Sequence, residues 1–383
     1  MPAYSHSKIG TFLQCRYKYK LQYIDKVKTD RESIEAFMGK IVHETLEKLY
    51  NDLKFQKLNS KEELLAFFDG KWAERWHNNI FIVKDYSPEN YKEMGRKFVS
   101  DYYEHYKPFS QTTLIDLETQ DILALNSENS YHIRIDRLSS DKEGNYFICD
   151  YKTNNSLKEQ EELDEDRQLA MYSLWVKQKY PDAKSVKLVW FFLAFDKEMV
   201  SERNDVQLEN LKKEIEELIS QIELCSEFGT NVSSLCDYCS YKPMCPAWKH
   251  EIELEQKTPT EFKDDDGVRL VDAYSTLYDT KKKIEDDLDI LKNAIIKFAQ
   301  QKGLEVVFGT ETKASIAAYD KIEYPKTEEF IFMLKERGIY GDVSTINTSK
   351  LKSLLNKRKV DVDLLQMIKT EQGWMVRIGK RRE

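Results

Sequence analysis

Glycine and proline are scarce in this sequence, 13 and 8 of 383 residues. That excludes a collagen-like or low-complexity chain. No run of about 18 apolar residues occurs, so no membrane-spanning helix is expected. The opening MPAYSHSKIG lacks a charged segment followed by an apolar one. No secretory signal is therefore expected, and the cytoplasm is the expected compartment. Basic charge is not in excess: 59 Lys and Arg against 67 Asp and Glu give a net charge of −8. A nucleic-acid partner is thus not announced by composition, although a local patch would suffice. No G-x(4)-G-K-[ST] phosphate loop is present, so any helicase motor is expected on a separate polypeptide. Cysteines number only six, and in a reducing compartment they are not expected to form a disulfide framework.

What is present is a globular composition, 41% hydrophobic and 33% charged, long enough for one large domain and a smaller one. Residues 5–28 read as a helix rich in Tyr and Lys, and Met1–Lys28 carries six basic residues and one acidic. Residues 33–55 form a second amphipathic helix pattern, and 60–107 read as helical. From about 112 the pattern becomes strand-like: TTLIDLETQDILAL, YHIRIDRL and YFICDYKT, with a turn at Asp141–Asn145. A helix is expected over 160–180, a buried strand at VKLVWFFLAF and a helix over 206–225. This order predicts an α/β domain over residues 1–255. After a break near Pro259 and Gly267, residues 268–303 carry apolar positions from Leu270 to Phe298 spaced alternately four and three apart. That is a heptad seam, read either as a helix packed on its own domain or as a self-associating coiled coil, which would make a homo-oligomer. Residues 305–324 read as a hairpin and 326–378 as a small α/β tail, so that 304–383 forms a C-terminal extension.

Three sequence features carry chemistry. Asp136 closes one strand and Asp150 the next, and the short turn between them brings those ends side by side. Two carboxylates so placed need a cation, and oxygen ligands suit Mg²⁺ or Mn²⁺. Lys152, two residues beyond Asp150, points to the same face, and carboxylates, metal and an ammonium are what phosphodiester hydrolysis requires. His43 lies on the second helix with Glu47 at i+4, and Gly39 one turn before it leaves room for another backbone or a ligand. Gln168 and Tyr172, again i and i+4, follow the strand that carries Lys152. Finally, Cys236, Cys239 and Cys245 form a C-x2-C-x5-C trio, a metal-site spacing that lacks a fourth ligand. Cys15, Cys149, Cys225 and His250 are the candidates, and both zinc and an iron–sulfur cluster fit four cysteines. Cys149 and Cys225 follow apolar stripes and read as core.

Taken in order, Gly-x(3)-His-x(2)-Leu-Glu from Gly39, Ile-Asp-Arg, Asp-Tyr-Lys-Thr and Gln-x(3)-Tyr resemble the RecB-like branch of the PD-(D/E)xK nucleases over residues 1–250. The opening Tyr4-Ser5 to Cys15 is similar to that branch as well. The resemblance implies a restriction-endonuclease-like core, a mixed central sheet flanked by helices. It implies a metal held by His43, Asp136, Asp150 and the carbonyl of Tyr151, with Lys152 catalytic and Gln168 and Tyr172 supporting the site and contacting DNA. An N-terminal cysteine with a C-terminal trio is similar to the clasp of AddB-type and CRISPR-associated nucleases, which implies a [4Fe–4S] cluster on Cys15, Cys236, Cys239 and Cys245. Ile133 stands where that branch often has Gly, and Arg16 where it has Pro. The implied activity is a deoxyribonuclease, an exonuclease on single strands or duplex ends, serving repair, recombination, phage or CRISPR-type processing beside separate helicase or recombination proteins. The basic N-terminal segment, with Phe12, Tyr17, Tyr19 and Tyr23 between its cations, suits backbone contact and base stacking, or reads as an amphipathic helix whose aromatics are mostly buried, and both can hold on different faces. The alternative is a non-catalytic nucleic-acid-binding or assembly module on the same fold.

Overall fold

Most helix starts in the computed structural model, which describes residues 2–317, 327–338, 340–345, 347–349 and 351, are set by a capping side chain. Ser5 accepts from the amide of Lys8 and starts α1 (His6–Gln14). At Cys15 the backbone turns extended (φ −159°), so the expected single helix breaks there into α1, α2 (Arg16–Tyr19) and a π-turn over Lys20–Ile24. Tertiary bonds hold the break: Tyr17 donates its amide to Gly229 O, and Asn231 Nδ2 donates to Gln14 O. Ser33 caps α3 (Ile34–Lys54). The stretch 60–107 is two helices rather than one, each with its own capping box. These are α4 (Lys61–Arg75), begun by Ser60 and Glu63, and α5 (Pro88–Tyr106), begun by Ser87 and Asn90. The stretch 160–180 likewise divides into α6 (Gln160–Asp164) and α7 (Gln168–Lys179). Then come α8 (Asp205–Glu223) and α9 (Lys249–Glu255).

The strands are β1 (Ala3–Tyr4), a short β2 (Glu32–Ser33) paired with β3 (Ile80–Phe81), β4 (Thr113–Ala124), β5 (Ser130–Ser140), β6 (Asn145–Lys152), β7 (Ser185–Phe192) and β8 (Lys197–Glu202). They form a six-stranded mixed sheet in the order β1-β5-β6-β7-β8, with β4 pairing β5. β4, β5 and β6 run antiparallel in turn, α6 and α7 cross over to the parallel β7, and β8 returns antiparallel. The end of the expected apolar strand, Leu193–Phe195, is a 3₁₀ turn. Alternation along the strands builds two cores. Ile133, Ile148, Leu188 and Trp190 pack with α1, α7 and α8, while Cys149, Tyr151, Val189 and Phe191 pack with α3, α4 and α5. This is the mixed, helix-flanked sheet expected of the fold.

The chain separates into two units, Met1–Gln256 and Lys257–Glu383. The second contains α10 (Pro259–Asp264), α11 (Asp266–Lys302), the hairpin β9 (Val306–Phe308) and β10 (Lys313–Ser315), α12 (Glu328–Glu336) and α13 (Tyr340–Val343). The end of the expected hairpin, 318–324, and most of the expected tail, including 352–378, lie outside the described residues. α11 is capped by Asp265 and ended by Gly303 at φ +64°, a left-handed turn that favours glycine. Along its heptad stripe Leu270, Leu277 and Leu288 are exposed, Leu277 at 70%. No helix among the described residues is long and apolar enough to cross a membrane.

Candidate active site

The site forms where the β5–β6 ladder ends. Its last pair is Arg137 with Cys149, and the same register carried one step further sets Asp136 opposite Asp150. The two carboxylates are buried or nearly so. Asp136 Oδ2 accepts the amide of Tyr151 at 3.0 Å, taking an N–H that the ladder leaves unpaired. On one side α3 delivers His43. Its Nε2 lies 2.8 Å from the carbonyl oxygen of Tyr151, and its Nδ1 lies 3.3 Å from Asp136 Oδ2. Gly39, one turn earlier on α3, admits the side chain of Thr153: a Cβ there would meet Thr153 Oγ1 at 3.1 Å. The space left by this glycine is thus filled by the residue after Lys152, rather than by another backbone or a ligand. On the other side α7 delivers Gln168, whose Oε1 accepts from Lys152 Nζ at 3.4 Å. Tyr172, a turn later, is buried and hydrogen-bonds with Gln168. Lys152 Nζ lies 2.7 Å from Asp150 Oδ2.

The charges are strongly coupled. Burial opposes protonation of His43, but its hydrogen bond to Asp136 and the charges of Asp136 and Asp150 outweigh that and push its pKa up to about 9. One ring nitrogen faces Asp136 and the other the Tyr151 carbonyl. Burial works to raise the carboxyl of Asp136, yet the partnership with His43 and the Tyr151 amide holds it low. Burial, with the charge of Asp136, pushes Asp150 up against the pull of Lys152. Burial works against the Lys152 ammonium, and the Asp150 carboxylate more than compensates. Burial raises Tyr172 to about 12.

A divalent cation fits this donor set. The His43 ring lies between the Asp136 carboxylate and the Tyr151 carbonyl oxygen, so nitrogen and oxygen donors of the kind such an ion takes converge at one position. His43, Asp136, Asp150, Tyr151, Lys152, Gln168 and Tyr172 are all brought to one end of the sheet. Glu118 on β4 was not expected. Its carboxylate, one nitrogen of His43 and one oxygen of Asp136 all lie within 4.8 Å of one another, the only such group of three or more His, Cys, Asp or Glu among the described residues.

The cysteines assemble separately. Cys15, Cys236, Cys239 and Cys245 line one cavity, together with Lys18, Tyr241 and Trp248, and all four thiols are free of disulfides. Cys15 Sγ accepts the amide of Lys18 at 3.5 Å, and Cys236 Sγ that of Ser233 at 3.4 Å. Burial raises the Cys239 thiol, and the neighbouring Cys236 and Cys15 raise it further. No three of these sulfurs close to within 4.8 Å of one another. Cys149 sits in the core, where its sulfur accepts from Arg137 Nη2 at 3.2 Å, and Cys225 packs against the α8 side of the other core. One expectation needs correction: Phe12 and Tyr19 are core residues, so neither offers a face for base stacking.

The family model of the PD-(D/E)XK nuclease superfamily matches residues 3–246. No curated protein matches the chain. Among solved structures, that of SSO0001 aligns with 62% of this chain and 96% of its own at 18% identity, with a TM-score of 0.28.

Proposed function

The chain belongs to the PD-(D/E)XK nuclease superfamily, and from that premise we propose that it is a Mg²⁺- or Mn²⁺-dependent deoxyribonuclease of the RecB-like branch, acting on single strands or duplex ends. The observation that carries this reading is the convergence of His43, Asp136, Asp150 and Lys152 at the open end of the β5–β6 pair. Asp136 and Asp150 would supply carboxylate oxygens to the ion, His43 a ring nitrogen and Tyr151 its carbonyl. Such an ion, when bound, supplies Lewis-acid stabilisation of charge on a phosphate oxygen. The remaining work falls to the chain. His43 releases its proton before it can ligate. Lys152, held as an ammonium between Asp150 and Gln168, presents a donor to phosphate, and Tyr172 steadies it through Gln168. The basic segment ending at Lys28 supports contact with a nucleic-acid backbone.

Cys15, Cys236, Cys239 and Cys245 are read as the ligands of a [4Fe–4S] cluster. Four uncrosslinked thiols lining one cavity support a four-thiolate site, and the resemblance of the cysteine pattern selects iron–sulfur over zinc. The cluster's work is structural, tying the first helix to the end of a nuclease region over 1–255. Residues 268–303 and 304–383 lie outside that region. The setting is cytoplasmic DNA processing of the repair, recombination or CRISPR type, with any helicase on another chain. The test is cleavage of end-labelled single-stranded and duplex DNA in Mg²⁺ or Mn²⁺ by wild type and by Asp150→Asn. Cleavage that disappears in EDTA and in the variant is expected. Cleavage by the variant at the wild-type rate, or none by wild type on either substrate, refutes the reading and leaves the non-catalytic module in its place.

A further inference from the structure

α11 runs for 37 residues, Asp266–Lys302, with the alternating stripe from Leu270 to Phe298 along one side. Set in heptads, Tyr274, Lys281, Leu288 and Ile295 fall at a, and Leu270, Leu277, Ile284, Leu291 and Phe298 at d. Leu270, Leu277, Ile284, Leu288 and Leu291 are 54–73% exposed. The opposite face is charged, with Asp272, Asp279 and Asp286 at f and Lys282 and Asp289 at b. A helix draws most of its stability from packing an apolar face, and an apolar a/d seam sustained over four heptads is the pattern of a coiled coil. The positions flanking the seam carry little charge: Asp287 is the one charged g residue, and Glu285 and Lys292 are the charged e residues.

We infer that α11 pairs with α11 of a second copy of this chain, as a parallel, in-register, two-stranded coiled coil. The flanking charges choose this partner and this orientation. In a parallel pair each g residue meets the e residue five positions later on the other helix. Asp287 of each copy then meets Lys292 of the other, so two ion pairs form at once. Antiparallel pairing instead sets g against g and e against e. The antiparallel register that seats Tyr274 on Phe298 brings Asp287 to Asp287 and Glu285 to Glu285. The register that seats Tyr274 on Leu291 leaves every flanking charge unmatched. The one that matches Glu285 with Lys292 leaves Leu270, Tyr274 and Leu277 outside the seam. Lys281 is the one charged core residue, and a single lysine at a fixes alignment at a cost in stability. Its Nζ lies 3.6 Å from Glu285 Oε1 on its own helix, so its stem covers the seam while the ammonium stays in water. Such a dimer holds two copies of the metal site in one particle, whatever that site cleaves.

The test is sedimentation velocity of the full chain across the micromolar range. Wild type should sediment as a dimer. Leu288→Glu, which puts a carboxylate into a core layer from both chains, should weaken dimerisation at least about a hundredfold. Asp287→Lys and Lys292→Asp each replace two attractions by two repulsions and should weaken it about three- to tenfold. The double variant Asp287→Lys/Lys292→Asp should regain the wild-type affinity. Asp286→Lys makes the same charge change on the outer face and should leave dimerisation as it is. A wild type that is monomeric throughout refutes the pairing, and so does a dimer that Leu288→Glu leaves intact, which places the contact elsewhere. If the double variant stays as weak as the single ones, or Asp286→Lys weakens the dimer as Asp287→Lys does, the parallel register is refuted. The charge swap decides even where Leu288→Glu unravels the helix.

Discussion

Gly95 is where α5 packs on Phe68 of α4 and Met38 of α3, the helix that carries His43. A Cβ built there would lie 2.6 Å from Phe68 Cζ, 3.0 Å from Phe68 Cε2 and 3.1 Å from Met38 Cγ. Real carbon contacts do not reach the first of these distances, so Gly95→Ala forces a ring or a helix to move. The Phe68 ring is fully buried and packs against Trp72 at 5.9 Å between centroids, which leaves it no solvent to retreat into. Overpacking of this kind costs about 1–3 kcal/mol. Against it, alanine in a helix interior is favoured over glycine by about 1 kcal/mol. With a rigid neighbour the cost lies in the upper part of its range, so the net effect is a loss of about 1–2 kcal/mol. Gly70, on α4, isolates the helix term, because a Cβ there meets nothing within 4 Å. Gly70→Ala should therefore stabilise by up to about 1 kcal/mol. Thermal unfolding followed by tryptophan fluorescence, to which Trp72 contributes beside Phe68, reads the difference. At roughly 2–4 °C per kcal/mol for a domain of this size, the two variants should melt on opposite sides of wild type. A Gly95→Ala protein as stable as wild type would show that α5 can shift freely against α4 and α3, and the packing argument would fail.

Three further outcomes are expected. Lys152→Ala should lose cleavage yet still bind Mn²⁺ in calorimetry, because its ammonium serves phosphate rather than the ion; cleavage near the wild-type rate would place the chemistry elsewhere. Anaerobically purified protein should be brown with about four irons per chain. Cys15→Ser should lose the colour and melt earlier, and Cys225→Ser should keep it; one zinc per chain in a colourless wild type would refute the cluster and leave the metal site intact. In EDTA, His43 holds a folded-state pKa of about 9 against an ordinary value of 6.5. Its contribution to stability is therefore complete below about pH 6.5 and lost as pH rises through 9. Chemical denaturation between pH 6 and 10 should show that decline, and His43→Gln should flatten it; an unchanged slope in the variant would assign the decline to other groups.

Asp136 and Asp150 were legible as neighbours because a tight turn fixes a hairpin's register. They stand equally far from residue 143, inside the Asp141–Asn145 turn. Glu118 and Asp136 obey the same arithmetic about residue 127, in the loop between β4 and β5. That symmetry lay in the sequence, but no turn residue pair pinned the centre of the loop, and a shift of one residue would have sent Glu118 elsewhere. The break at Cys15 had no local signal at all. Arg16 to Tyr19 keep helical propensity, and what ends the helix is distant chain: Gly229 O taking the amide of Tyr17 and Asn231 holding Gln14. The same limit explains Phe12 and Tyr19. A segment both basic and aromatic can turn its rings to nucleic acid or to its own core, and only the sheet behind α1 decides for the core.

The break at Cys15 also bears on how the two constellations relate. Because Cys15 leaves the helix, its sulfur turns toward the 236–245 segment while α1 stays against the sheet that holds Asp136 and Asp150. Hydrogen bonds from Asn231, from Tyr17 to Gly229, and from Tyr241 Oη to Val27 O already join these segments. A cluster bound there would add to a seam the polypeptide makes for itself. Loss of the cluster should therefore lower the stability of this seam before it disturbs the carboxylates, since no side chain is common to the two sites.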